Sequence, residues 1–428
     1  MKYLFKNASL LPEYGYAGAV YLVVDGKTIT YVGTERPAGD WTREIDCHGM
    51  LLMPAFYNAH CHCAMTLFRG YGEDLPLQRW LNEKIFPAEE RLSDESVYWA
   101  SKLAIAEMIK NGIVSFTDMY FFIDATARAV LETGVKANLS RCIVSFDPDI
   151  DMAADNRMNE AKALVPEYHM AGDGRLRIDM SLHAEYTNVE KACRYVADYT
   201  AANKLRMHIH LSETEQEVKD CFGRHGVSPV QFFENTGVLD CPTTAAHCVW
   251  VNEDDMDILR EKNVFVAHNP VSNLKLGSGV MPMPRMLEKG LRVCIGTDGV
   301  ASNNRLDVLR DMQTAAILHK GVQRQPDCTH AADMIALATR NGALSQGRDD
   351  CGLIGVGCAA DLILVDTNAP HNRPSFDPYA SLCYSVDASD IRMTMADGVI
   401  LYENGEYTTI DMERVMANAE RVFDGYFK

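Results

Sequence analysis

The chain has 428 residues, 47% of them apolar, which suffices for one large domain with an appendage or for two or three ordinary domains. A formal charge of −18 argues against nucleic-acid backbones and anionic membranes as partners, since both require a surplus of Lys and Arg. Thirteen scattered cysteines without a Cys-x-x-Cys pair, an N-terminus without an apolar leader, and no apolar run near the ~18–20 residues of a membrane helix predict a reduced, cytoplasmic protein with free thiols.

Residues 1 to about 53 read as short strands and turns, including a hairpin over 21–33 that turns at Asp25-Gly26. An apolar strand over 51–60 follows and ends in His60-Cys-His62. Short apolar runs then alternate with helical patterns. A helix over 94–111 has Ser93 as N-cap and Gly112 after its last turn, and strand 114–120 follows. Next come helix 124–134, strand 137–145, helix 155–170 and strand 177–183. The helix over 188–203 sets Val189, Ala192, Cys193, Val196 and Thr200 on one stripe. Strand 206–210, helix 213–224, strand 244–249, helix 252–262, strand 264–268, helix 282–289 and strand 291–298 close the series, with helices near 305–319 and 329–341 behind it.

Eight strands alternating with helices predict a (β/α)₈ TIM barrel over 54–350. A doubly wound open sheet competes, but its glycine-rich first turn is absent from this sequence. After Cys351 the helical pattern stops. A strand over 361–366 and a hairpin over 391–405 that turns at Asp397-Gly398 resemble the N-terminal strands in kind, and 411–426 reads as a terminal helix. Residues 1–53 and 351–428 are therefore expected to form one small β domain from both chain ends.

Polar residues gather where the barrel strands end, the edge at which this fold does chemistry. His60 and His62 share one face of strand 1, because alternate residues of a strand point the same way. His183 ends strand 4, His210 ends strand 5 with Glu213 three residues on, His247 lies near the end of strand 6, and Asp298 ends strand 8. Neutral imidazoles with one carboxylate suit a divalent transition metal, zinc or ferrous iron, which lowers the pKa of a water toward neutrality. Glu213 is placed to carry protons, His247 to orient the water or polarise the bond under attack, and Asp298 to touch the metal and take the water's proton. The remaining histidines read as structural: His208 as barrel packing, His268 as shaping a loop, and His225, His319, His330 and His371 as surface or helix residues. Cys61 and Cys63 face away from the histidine pair if the strand persists, and Met281, Met283 and Met286 read as packing.

Together, His60-x-His62, His208-Ile-His-Leu-Ser-Glu213, Ala246-His-Cys-Val249, His268-Asn-Pro-Val-Ser-Asn-Leu-Lys-Leu-Gly277 and Gly296-Thr-Asp-Gly-Val-Ala-Ser-Asn303 resemble the amidohydrolase superfamily. Within it they are most similar to the 5′-methylthioadenosine/S-adenosylhomocysteine deaminases. The resemblance runs to about residue 410 and implies a barrel flanked by a β-sandwich, with one metal held by His60, His62, His210 and Asp298. The carboxylated Lys of the binuclear members has no counterpart here. The segment Trp80-Leu-Asn-Glu-Lys-Ile-Phe-Pro-Ala-Glu89 resembles the one whose glutamate binds the ribose diol, which assigns that role to Glu89 and sets Trp80 in the substrate pocket. The resemblance further implies that Arg141 and Arg157 meet an amino-acid carboxylate and that His183 contacts the purine. Two departures touch pocket loops: Cys63-Ala64 stands where relatives often carry Ala-Pro, and Ala184-Glu185 where a proline commonly precedes the Tyr. The expected activity is hydrolytic deamination of adenosine-type nucleosides by a cytoplasmic protein, either alone or as a homo-oligomer. Deamination or dechlorination of another N-heterocycle (guanine, pterin, triazine) is the alternative, and a non-catalytic metal scaffold is a second.

Overall fold

A computed structural model describes residues 1–427. Eight parallel strands form the barrel: Phe56–Cys61, Ile113–Tyr120, Lys136–Ile143, Met180–Leu182, Met207–Leu211, Thr243–His247, Phe265–His268 and Arg292–Ile295. A short strand, Leu176–Ile178, pairs beside the third. The circle closes where the amides of Thr297 and Asp298 donate to the His60 carbonyl, at 3.1 and 2.9 Å. Gly296 allows that approach, since a Cβ there would lie 3.0 Å from the His60 backbone nitrogen and 2.3 Å from Asn269 Oδ1.

The two chain ends build the flanking β-sandwich. A four-stranded sheet uses Thr28–Gly33, Val20–Asp25, Lys2–Ala8 and Arg43–Asp46, in that order. A five-stranded sheet runs Glu406–Tyr407, Val399–Glu403, Ile391–Ala396, Leu362–Asp366 and Met50–Pro54. Phe5, Leu22, Val24, Leu52, Leu364 and Met395 form their shared core. Alternation along the strands turns these apolar side chains inward between the two sheets.

Several elements differ from their expected form. The run expected as one strand over 51–60 is two. Pairing with the flanking sheet ends at Pro54, the Ala55 amide bonds the Asp361 carbonyl, and the Phe56 amide bonds the Gly112 carbonyl at the start of the barrel. The strand expected over 291–298 stops at Ile295, so Asp298 sits in the loop beyond it. The helix expected over 329–341 is two, Ala331–Ala338 and Arg340–Ser345, broken at Thr339 with φ −113° and ψ −85°. The segment Leu77–Glu89, for which no helix is expected, is helical with a π turn over Leu81–Ile85. Pro87 has no N–H to give the preceding turn, and the wider π turn relieves that irregularity.

Candidate active site

Three imidazoles converge at the C-terminal edge of the barrel with their Nδ1 atoms already engaged. His62 Nδ1 donates to the Met119 carbonyl at 2.7 Å, and His210 Nδ1 donates to the His183 carbonyl at 2.7 Å. His60 Nδ1 bonds His208 Nε2 at 2.9 Å. A carbonyl only accepts, so the proton sits on Nδ1 and the lone pair on Nε2 of His62 and His210. These lone pairs point to one spot: His62 Nε2 is 3.3 Å from His210 Nε2 and 3.2 Å from Asp298 Oδ1, and His60 Nε2 is 3.4 Å from that oxygen. His60 Nε2 is buried without a hydrogen-bond partner among the described residues, as expected of an atom aimed at an ion. Burial keeps His60 neutral, pushing its pKa down to about 3, and holds His210 well below the usual range. Burial opposes ionisation of Asp298, but the adjacent imidazoles of His60 and His62 outweigh it and hold the carboxyl well below its usual range. This donor set fits a divalent ion. His247 also lies within ligand distance of His60 and Asp298.

The residues beside this cluster are fixed by partners that were not singled out in the sequence. Asp298 Oδ2 accepts from Ser272 Oγ at 2.5 Å and Ser302 Oγ at 2.9 Å. His247 Nδ1 donates to Asn273 Oδ1 at 2.8 Å, which turns Nε2 toward Glu213 Oε2, 3.8 Å away. Glu213 Oε1 accepts from Ser278 Oγ at 2.9 Å. Burial raises the Glu213 pKa, and His247 partly offsets it, so the carboxyl is poised to hold a proton. His247 and Asp298 have left-handed backbones, φ 75° and 61°, as does Ser212 at 49°. Non-glycine residues so held mark places where local strain is tolerated for position.

One cavity of about 800 Å³ opens over the cluster. His62, His210, His247, Asp298 and Glu213 line its floor, and Trp80, Glu89, His183, Arg141 and Arg157 also line it. His60 lies beneath, fully buried. His183 is half-buried, with Nδ1 3.2 Å from Thr187 Oγ1 and its ring 4.9 Å from that of His210. Glu89 is half-buried beside Tyr120. Burial pushes its carboxyl up to about 7, and Tyr120 eases it down. Arg141 is tied to Glu160, whereas Arg157 is exposed at the mouth.

Two histidine expectations change. His208, expected only to pack, orients His60, the residue it meets across the barrel. His319, expected as a surface or helix residue, lies in helix Val308–Gln323 but is buried, with Nε2 3.1 Å from His268 Nε2, because the helix lays that face on the barrel. Glu185 is also buried. Its carboxylate takes Arg224 Nη2 at 2.5 Å and lies 2.9 Å from His225 Nε2, joining the loop after His183 to the helix behind Glu213.

Residues 51–401 match the amidohydrolase family. A 5-methylthioadenosine/S-adenosylhomocysteine deaminase of Dictyoglomus thermophilum is 44% identical over 377 residues, 88% of each chain. A 5′-deoxyadenosine deaminase of Methanothermobacter thermautotrophicus is 40% identical over 97% of this chain and 98% of its own. The crystal structure of an adenosine deaminase from Xanthomonas campestris with bound zinc superposes with a TM-score of 0.93 at 30% identity, covering 99% of this chain and 98% of the other.

Proposed function

The chain belongs to the amidohydrolase family, and from that membership and the cavity we infer that it is a hydrolytic deaminase of adenosine-type nucleosides. The carrying observation is that three imidazoles with Nδ1 engaged and the carboxylate of Asp298 share one cavity with the buried acid Glu213. Its relatives named as deaminases of 5-methylthioadenosine, S-adenosylhomocysteine or 5′-deoxyadenosine match almost end to end, which favours this reading over a guanine, pterin or triazine substrate.

We assign one divalent ion, zinc, to His60, His62, His210 and Asp298. When bound, it supplies Lewis acidity that brings the pKa of a water toward neutrality. Asp298 accepts the water's proton as its oxygen adds to C6 of the adenine ring. Glu213 gives a proton to the ring nitrogen, takes one from the new C6 hydroxyl and passes it to the amino group as the C6–N bond breaks, and the proton held by Asp298 then reloads Glu213. His247, held by Asn273, faces the same carbon and polarises it. Glu89 accepts both ribose hydroxyls, with Trp80 and His183 walling the nucleoside. The products are the inosine analogue and ammonia. All thirteen cysteines are free, which supports a reducing compartment such as the cytoplasm, and no helix among the described residues is long and apolar enough to cross a membrane.

A panel of adenosine, 5′-methylthioadenosine, S-adenosylhomocysteine, guanine and a chlorotriazine tests this, read by absorbance and ammonia release on protein of known metal content. Adenine nucleosides should be converted, and Glu213→Gln should lose about 10²–10⁴-fold in kcat with the metal retained. Conversion of guanine or the triazine alone, or near-normal turnover by the variant, would overturn the assignment.

A further inference from the structure

Glu160 has no part in the chemistry described so far, yet it lines the cavity. It stands in helix Asn156–Tyr168, three residues after Arg157, a spacing that sets both on one face. Across the opening, Arg141 comes from the third barrel strand. Its Nε donates to Glu160 Oε2 at 2.6 Å, its Nη1 to the Cys142 carbonyl at 2.6 Å, and its guanidinium lies 5.0 Å from the Phe121 ring. Arg141 Nη2 and Glu160 Oε1 make no hydrogen bond among the described residues. Arg157 gives Nη1 to the Val144 carbonyl at 3.2 Å.

Arg141, Arg157 and Glu160 thus line one opening together, with Glu90 and Asp124 also in its lining and Asp155 3.9 Å from Arg157. The Arg141 side chain is 12% exposed and that of Glu160 57%. The guanidinium is therefore fixed from behind, while the carboxylate reaches out over the opening. A neutral 5′-substituent would leave Arg141 Nη2 and Glu160 Oε1 without a partner. A substituent carrying both an ammonium and a carboxylate could meet each charge with its opposite.

We propose that Glu160 is a specificity-determining residue that completes, with Arg141 and Arg157, a zwitterion site at the cavity mouth and takes the ammonium of a 5′-substituent ending in an α-amino acid. This rests on the adenosine-deaminase reading and goes beyond it in naming which residue reads the amino group of such a substituent. The opposite role is testable too: if Glu160 only neutralised Arg141, it would repel a substrate carboxylate, and removing its charge would improve every carboxylated substrate.

The experiment compares kcat/KM of the zinc-loaded full chain for S-adenosylhomocysteine and for its analogue with hydrogen in place of the α-amino group. The ratio of the two cancels effects on folding and metal content. The native chain should prefer the amino compound about tenfold, the order of one charge-assisted hydrogen bond at a partly exposed site, and Glu160→Gln should bring that ratio close to one. An unchanged ratio, or a gain for both compounds, overturns the proposal. If the native chain converts no nucleoside, the deaminase reading fails separately. The same ratio taken from calorimetric Kd values then supports or rejects the ammonium site on its own.

Discussion

Glu89 and Glu213 line the same cavity, yet deamination asks opposite protonation states of them. Glu213 must hold a proton to give, and burial raises its pKa in that direction. Glu89 must be ionised to accept two ribose hydroxyls, but burial pushes its carboxyl up to about 7, with Tyr120 pulling the other way. A raised carboxyl pKa means the neutral acid prevails below it. Accordingly, kcat/KM for ribosylated substrates should fall as pH drops through about 7, while Glu213, needed in its protonated form, makes the rate fall as pH rises through its own raised pKa. Glu89→Gln should remove the acid limb and leave the alkaline one. A pH–rate profile in which the variant keeps the full acid limb would take this role from Glu89. The residue types were legible in the sequence because a metal cluster needs His and carboxylate at strand ends. Their holders were not. Asn273, Ser278, Ser272 and Ser302 are ordinary polar residues whose meaning arises only when loops from different strands meet.

The loop after the fifth barrel strand shows how an element positions an acid. Helix Glu215–His225 opens with a capping box from Thr214, and the Glu217 side chain turns back over it. Its carboxylate accepts the amides of Ser212 at 2.9 Å and Glu213 at 2.7 Å, which holds Ser212 in its left-handed conformation. Burial, with added repulsion from Glu213, pushes Glu217 up to about 7. Glu217→Ala would leave buried amides unpaired, so stability should fall by about 1–3 kcal/mol. Because Glu213 would lose its fixed backbone, kcat should drop about 10–100-fold with KM little changed. Glu217→Gln, whose amide oxygen still accepts, should recover part of both. Denaturant unfolding and steady-state kinetics check this, and equal defects in the two variants would deny the positioning role. At this scale the sequence was readable where local rules dominate: Ser93 caps Asp94–Lys110, and Gly134 ends Ile123–Thr133. It was opaque at Leu77–Glu89, where Pro76, Pro87 and a π turn break the 3.6-residue period that marks a helix. It also hid the use of His208, because inward alternation placed the ring in the barrel but could not say that it meets His60, 148 residues away.

At the scale of the whole molecule, the barrel and the flanking sheets are joined by a buried charge cluster that no local pattern announces. Lys136, on the third barrel strand, reaches Asp361 at 2.5 Å and Asp397 at 2.7 Å, both next to strands of the five-stranded sheet. Tyr57 of the first barrel strand donates to the same Asp361 oxygen. The Lys136 and Asp361 side chains are 3% and 0% exposed. Asp361 and the Asp397-Gly398 turn could each be placed in the sequence, but their partner lies 225 residues from Asp361 along the chain, and a lysine entering a barrel strand reads as an exposed end. Burial alone would raise the Asp361 pKa; Lys136 outweighs it and holds the carboxyl below its ordinary value. A carboxyl depressed in this way contributes stability above its unfolded pKa of about 3.9 and loses it as pH falls through the folded value. Lys136→Met fills similar space but strands a buried carboxylate, which should cost about 3–5 kcal/mol at neutral pH. Without the lysine the folded pKa of Asp361 moves above the unfolded one, so the acid takes up a proton in the variant's folded state as pH falls toward 4. The gap in unfolding free energy between native chain and variant should therefore be widest near pH 7 and narrow on acidification. A gap that stays constant across that range would mean that packing, and not the buried charge, joins the two parts.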